Sequence, residues 1–139
     1  MITRLAHIGI AVRSLEEHVP FYRDVLHLPL QGIEEVPEQK VRVAMFRIGE
    51  STIELLEPTS PDSSIASFLE KRGEGLHHLA YESDDIVAQI ADLKSHGVTM
   101  VDELPRRGAH GTAIAFLHPS SSGKVLTEIC GHQGETNEH

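Results

Sequence analysis

Cysteine is almost missing from this chain. Its 139 residues include one, Cys130, so no disulfide can form within it, and a reducing compartment, the cytoplasm, is expected. Long apolar runs are missing too. None approaches the ~18–20 residues that a membrane-spanning helix needs. The first fifteen residues carry Arg4, His7 and Arg13 without a cleavable apolar core, so no signal peptide is expected. Cations are in the minority, with 12 Lys and Arg against 21 Asp and Glu, a net charge of −9. That balance argues against a general nucleic-acid binder. Apolar residues at 40% and charged ones at 24% are ordinary for a globular protein of one domain. Histidine, at ten residues, is plentiful and directs attention to metal or proton chemistry.

Residues 3–12 alternate, with Ile8, Ile10 and Val12 on one side and Leu5, His7, Gly9 and Ala11 on the other, which predicts a strand. Ser14-Leu-Glu-Glu17 is a capping box that opens a helix whose stripe is Leu15, Val19, Tyr22 and Leu26. Pro20 inside it predicts a kink or a short first segment. Strands are predicted over Leu30–Val36, Val41–Ile48 and Thr52–Glu57, followed by a linker and a short helix over Ile65–Lys71. The pattern then restarts. Gly75–Glu82 alternates, Asp84 caps a helix striped by Ile86, Ile90 and Leu93, and Gly97 ends it. Val98–Glu103, Thr112–His118 and Lys124–Cys130 read as three more strands, and 132–139 as a frayed polar tail. The order is βαβββ, linker helix, βαβββ. It predicts an α+β fold of two tandem modules, about 1–58 and 73–131, sharing a sheet face in one domain over 1–131.

Laying one repeat on the other matches His7 with His78 and Glu54 with Glu128. The His-to-Glu interval is 47 residues in the first repeat and 50 in the second. A pseudo-twofold arrangement brings the four to one concave surface. Small residues share the histidines' faces, Gly9 and Ala11 in one strand and Ala80 in the other, which leaves room for a ligand. A carboxylate in an apolar strand is costly to bury unless it is paired or metal-bound. Two imidazoles and two carboxylates suit a divalent first-row metal and do not choose among Co, Zn, Ni, Mn and Fe. Each residue alone also has a plainer reading. A strand histidine is commonly a hydrogen-bonded structural residue, Glu54 can be an edge charge, and Glu128 can pair with Lys124. His77 and His78 point to opposite faces, and the repeat selects His78. Cys130, two positions from Glu128, is a buried strand residue before it is a sulfur ligand.

Residues 3–130, with Leu5-Ala-His7-Ile and Phe21-Tyr-Arg-Asp-Val-Leu26, resemble the vicinal oxygen chelate (glyoxalase/bleomycin resistance) superfamily, which implies paired βαβββ modules forming a curved mixed sheet as a cup around a metal site. More specific segments resemble its methylmalonyl-CoA epimerase family. They are Pro37-Glu-Gln-Lys-Val41, Ile53-Glu-Leu-Leu-Glu-Pro58, Gly73-Glu-Gly-Leu-His-His-Leu-Ala80, Gly108-Ala-His-Gly111 and Phe116-Leu-His-Pro119. The resemblance implies that His7, Glu54, His78 and Glu128 bind the metal, the same four that the duplication selects, with cobalt as the first expectation. It implies interconversion of (2R)- and (2S)-methylmalonyl-CoA through an enolate, an acyl-CoA substrate and a homodimer. Some family members carry Gln at the Glu54 position. Some bacterial epimerases carry a second catalytic Glu at the position of Val43, which cannot move a proton.

Glu128 is the first choice for one acid/base role and Glu54 for the other, with Glu38, His110 and a metal-bound water behind them. Arg106-Arg107, Lys40, Arg42 and Lys124 are candidates for coenzyme A phosphates. Two alternatives use the same fold, a lactoylglutathione lyase of the glyoxalase I type and a non-catalytic binding protein. Filled ligand positions argue against the latter.

Overall fold

The computed structural model describes residues 1–132, all but the side chain of His110 among them. The frayed tail expected over 132–139 therefore lies outside the described residues except for His132, which is in a strand. The chain divides into two compact units, residues 7–77 and residues 1–6 together with 78 onward.

In the first unit, β1 (Ile2–Ala11) contributes its residues from His7 onward. Ser14 then caps α1 (Leu15–Pro20), its hydroxyl accepting the Glu17 N–H at 3.3 Å. Pro20 brings no N–H, and the chain widens over Phe21–Val25 into a π-type turn in which Leu26 N–H reaches Phe21 O at 2.9 Å. The extra residue rotates the apolar stripe. Leu15 and Val19 are buried and Tyr22 half-buried, but Leu26, expected on the same stripe, is 47% exposed. The strands β2 (Leu30–Val36), β3 (Val41–Ile48) and β4 (Ser51–Pro58) follow, then α2 (Ser64–Arg72). The strand order is β2-β3-β4-β1, antiparallel except for β4 against β1.

One face of this sheet sends Ala44, Phe46, Ile53, Leu55 and Ile10 into a cluster with Leu15 and Val19 of α1. Alternation places His7, Gly9, Val43, Met45 and Glu54 on the other face. Beyond α2, Glu74 accepts the Arg13 N–H at 2.8 Å and lies 2.8 Å from His18 Nε2. The Arg13 amide foremost, and His18 after it, hold this carboxyl below the usual carboxylate range.

The second unit repeats the plan with β5 (Gly75–Ser83) from His78 on, α3 (Ile86–Ser95), β6 (Arg106–Arg107), β7 (Thr112–Leu117) and β8 (Thr127–His132). Its order is β5-β8-β7-β6, with β5 parallel to β8 as β1 is to β4. Residues 1–6 lie along β5, where Asp84 N–H donates to Met1 O at 3.2 Å and Thr3 Oγ1 to Glu82 O at 3.3 Å. Ile86, Ile90, Ala113, Ala115, Leu117 and Ile129 form the cluster under α3, and Gly97, at φ 85°, turns the chain out of that helix as expected. On the opposite face Ala6, Ala80, Ile114 and Cys130 form a second cluster, with Phe116 against it.

Three local expectations are corrected. The cap of α3 is Asp85, whose carboxylate accepts the Ala88 N–H at 3.1 Å, while Asp84 pairs with the Met1 ammonium at 2.8 Å. Val98–Glu103 is not a strand. Only Met100 bridges to Leu117, because Asp102 takes the Phe116 N–H with its side chain at 2.8 Å and removes that donor from a ladder; the edge strand is Arg106–Arg107. The last strand begins at Thr127 rather than Lys124, which sits at φ 68°.

Candidate metal centre

Each unit presents one imidazole beside one carboxylate, on the sheet face turned away from its helix. In the first, parallel pairing sets Gly9 opposite Glu54, and His7 Nδ1 lies 3.4 Å from Glu54 Oε2. These side chains keep only 13% and 12% of their exposure. In the second, Ala80 lies opposite Glu128, and His78 Nε2 is 3.1 Å from Glu128 Oε1 with side-chain exposures of 5% and 4%. The register is the same in both. A small residue two positions after the histidine faces the glutamate and leaves the imidazole space to lean across. No buried side-chain nitrogen or oxygen among the described residues lacks a partner, as charged groups at such depth require.

The donor set fits a cation. An imidazole with a carboxylate, twice over, is the nitrogen and oxygen set that divalent first-row metals take. A bound cation would offset the cost of keeping either carboxylate ionised in an apolar strand.

Other candidates fall elsewhere. His77 turns to the opposite side from His78 and meets Phe68 edge-on at 4.9 Å. Cys130 is buried in the Ala80 and Ile114 cluster. Glu38 is exposed in the turn between β2 and β3, and His110 lies in the turn Ala109–Gly111, its side chain outside the described residues. Val43 is buried in β3 opposite Glu34 of β2. Of the basic candidates, Lys40 pairs with Asp62 and Arg42 with Glu57, while Arg107 and Lys124 are exposed.

Two features escaped the sequence reading. Phe116, opposite Glu128 in β7, meets the His78 ring edge-on at 5.6 Å and 79°, fixing its plane. Asp102 holds Phe116 through its backbone. Alternation in Thr112–His118 put Phe116 on the Glu128 face and was the available signal; Asp102 had none, lying in a segment read as a strand.

The class follows from this fold and donor set together with the family match. Residues 6–116 match the Glyoxalase/Bleomycin resistance protein/Dioxygenase superfamily, and the chain belongs to it. Particular relatives narrow the resemblance. The uncharacterized protein YqjC of Bacillus subtilis is 44% identical over 139 residues, covering 99% of both chains. The ethylmalonyl-CoA/methylmalonyl-CoA epimerase of Cereibacter sphaeroides is 38% identical over 131 residues, covering 93% of this chain and 98% of that one. A variant of the methylmalonyl-CoA epimerase of Streptomyces coelicolor, solved with 2-nitronate-propionyl-CoA, has a TM-score of 0.92 and 41% identity, covering 96% of this chain and 97% of that one.

Proposed function

We propose that this chain is a metal-dependent epimerase interconverting (2R)- and (2S)-methylmalonyl-CoA through an enolate, with His7, His78 and Glu128, and Glu54 beside His7, holding one divalent cation. The observation that carries this reading is the duplicated, buried imidazole–carboxylate pair in a chain so similar to named epimerases. Cobalt is the first choice of metal, and the same donors accept Zn, Ni, Mn or Fe.

When bound, the cation supplies Lewis-acid stabilisation of the charge that grows on the thioester oxygen as the proton leaves. The protein moves the proton. Glu128 takes it from the 2-carbon on one face or returns it there, and Glu54, its counterpart in the repeat, serves the other face. Val43 has no proton to give, so a carboxylate in β3 plays no part.

The test is solvent exchange. Cobalt-loaded protein given methylmalonyl-CoA in deuterated water incorporates deuterium at the 2-position, read by mass spectrometry, and a glutathione hemithioacetal supplied in parallel is not isomerised. Absence of incorporation refutes the assignment, and turnover of the hemithioacetal alone replaces it with a lactoylglutathione lyase. We assign residues 1–131 to one functional domain, acting in the cytoplasm as the lone, buried Cys130 suits. A homodimer, usual for the family it resembles, is checked by sedimentation.

A further inference from the structure

Methylmalonyl-CoA is anionic at both ends, with a carboxylate beside the reacting carbon and phosphates on the coenzyme. The chain has a net charge of −9, so a local cation has to meet them. Several cationic side chains are already bound to carboxylates. Arg4 gives both Nε and Nη2 to one oxygen of Glu82, at 3.0 and 2.6 Å. Lys40 is paired with Asp62 and Arg42 with Glu57.

Arg106 is held in another way. Its Nε lies 3.1 Å from Asp102 Oδ1, and its guanidinium carbon stands 5.5 Å from the centre of the Phe116 ring. Asp102 is itself anchored, its second oxygen accepting the Phe116 N–H at 2.8 Å. A carboxylate and a ring face thus fix the guanidinium plane, while the side chain stays 46% exposed. A contact through Nε leaves the two amino groups of the fork for another acceptor. The same ring meets His78 at 5.6 Å, so the guanidinium carbon is within about 11 Å of the imidazole centre. Register agrees. Arg106 lies opposite Ile114, and Ile114 and Phe116 share the face of Cys130 and Glu128.

We propose that Arg106, set by Asp102 and stacked on Phe116, binds a pair of anionic oxygens of the acyl-CoA substrate beside the His78–Glu128 pair. The inference rests on the acyl-CoA reading above. A guanidinium held in place before binding loses little freedom when the anion arrives, and its fork matches two oxygens of a carboxylate or of a phosphate.

Two probes separate those sources. Propionyl-CoA keeps the phosphates and lacks the free carboxylate; methylmalonyl-pantetheine keeps the carboxylate and lacks the nucleotide. Calorimetric titration of each into cobalt-loaded wild type, R106K and R106Q reads the contact directly. R106Q should bind one probe about tenfold or more weakly, with the affected probe naming the source, and R106K should recover part of the loss. In the deuterium assay KM should rise with kcat little changed. Binding of both probes by R106Q within twofold of wild type, while wild type epimerises, overturns this inference alone. So does a loss that R106K fails to restore and that accompanies a lower melting temperature, since that marks a purely structural arginine. Wild type that binds neither probe and exchanges no proton overturns the substrate reading and this inference with it.

Discussion

Replacing Glu128 with glutamine separates charge and proton transfer from shape. The side chain is 4% exposed and lies 3.1 Å from His78 Nε2, itself 5% exposed. Glutamine keeps the volume and an oxygen that can accept from the imidazole, so no cavity opens and no buried charge is stranded. The metal-free variant should therefore melt within about 3 °C of wild type, equivalent to roughly 1 kcal/mol for a chain of this size. Function should fare otherwise. The amide neither takes a proton nor contributes a negative charge to a cation, and loss of a general acid/base alone costs about 10²–10⁴ in rate. At 1.36 kcal/mol per decade that is about 3–5 kcal/mol of transition-state stabilisation. The assay is deuterium incorporation into methylmalonyl-CoA by protein loaded with cobalt, run beside a thermal melt of the same preparation. A variant that keeps more than about a tenth of the wild-type rate with an unchanged melt would remove Glu128 from the chemistry.

Chelation should lower the melting temperature, and cobalt at about a hundred times its dissociation constant should raise it by the equivalent of about 2.7 kcal/mol; a melt of His78→Ala that still responds to cobalt would contradict the donor set. Asp85→Ala should destabilise the protein by about 1 kcal/mol in urea unfolding through loss of the α3 cap, and a larger cost from Asp84→Ala would reverse the assignment of the cap. Because the Glu74 carboxyl is held below its usual range by the Arg13 amide and His18, its contribution is present above the unfolded carboxylate value near ~4.3 and fades as pH falls through the lower folded value. Wild type should exceed Glu74→Gln by a few tenths of a kcal/mol at pH 6, with the gap closing toward pH 3, and a gap that widens on acidification would contradict the sign.

Where residues repeat, the chain is readable from its letters. His7 with Glu54 and His78 with Glu128 were matched because a duplication supplies an internal comparison, and each pair meets in the structure. The pattern of short runs bounded by turn residues found β2 and β3 to the residue. It failed at Val98–Glu103, where a side chain, Asp102, takes the backbone donor that a strand would use. The choice between Asp84 and Asp85 as a cap could not be made from adjacent identical residues; it was decided by the Met1 ammonium 83 positions away. Leu26 left its stripe because a wide turn counts one residue more than an ideal helix. The stack of Arg106 on Phe116 is a tertiary contact across an irregular segment and follows no period.

One of the two units is assembled from both ends of the chain, residues 1–6 and the stretch from 78 onward. On a ribosome that hexapeptide emerges before the residues beyond 78 with which it groups. Residues 7–77 are synthesised while Ile2 to Ala6 wait for Glu82, Asp84 and the strands beyond them to emerge. Until then that stretch of strand lacks these partners in every nascent copy and can pair with the wrong neighbour. Deleting those few residues would consequently injure the distant half of the molecule, although they are nearest in sequence to the other.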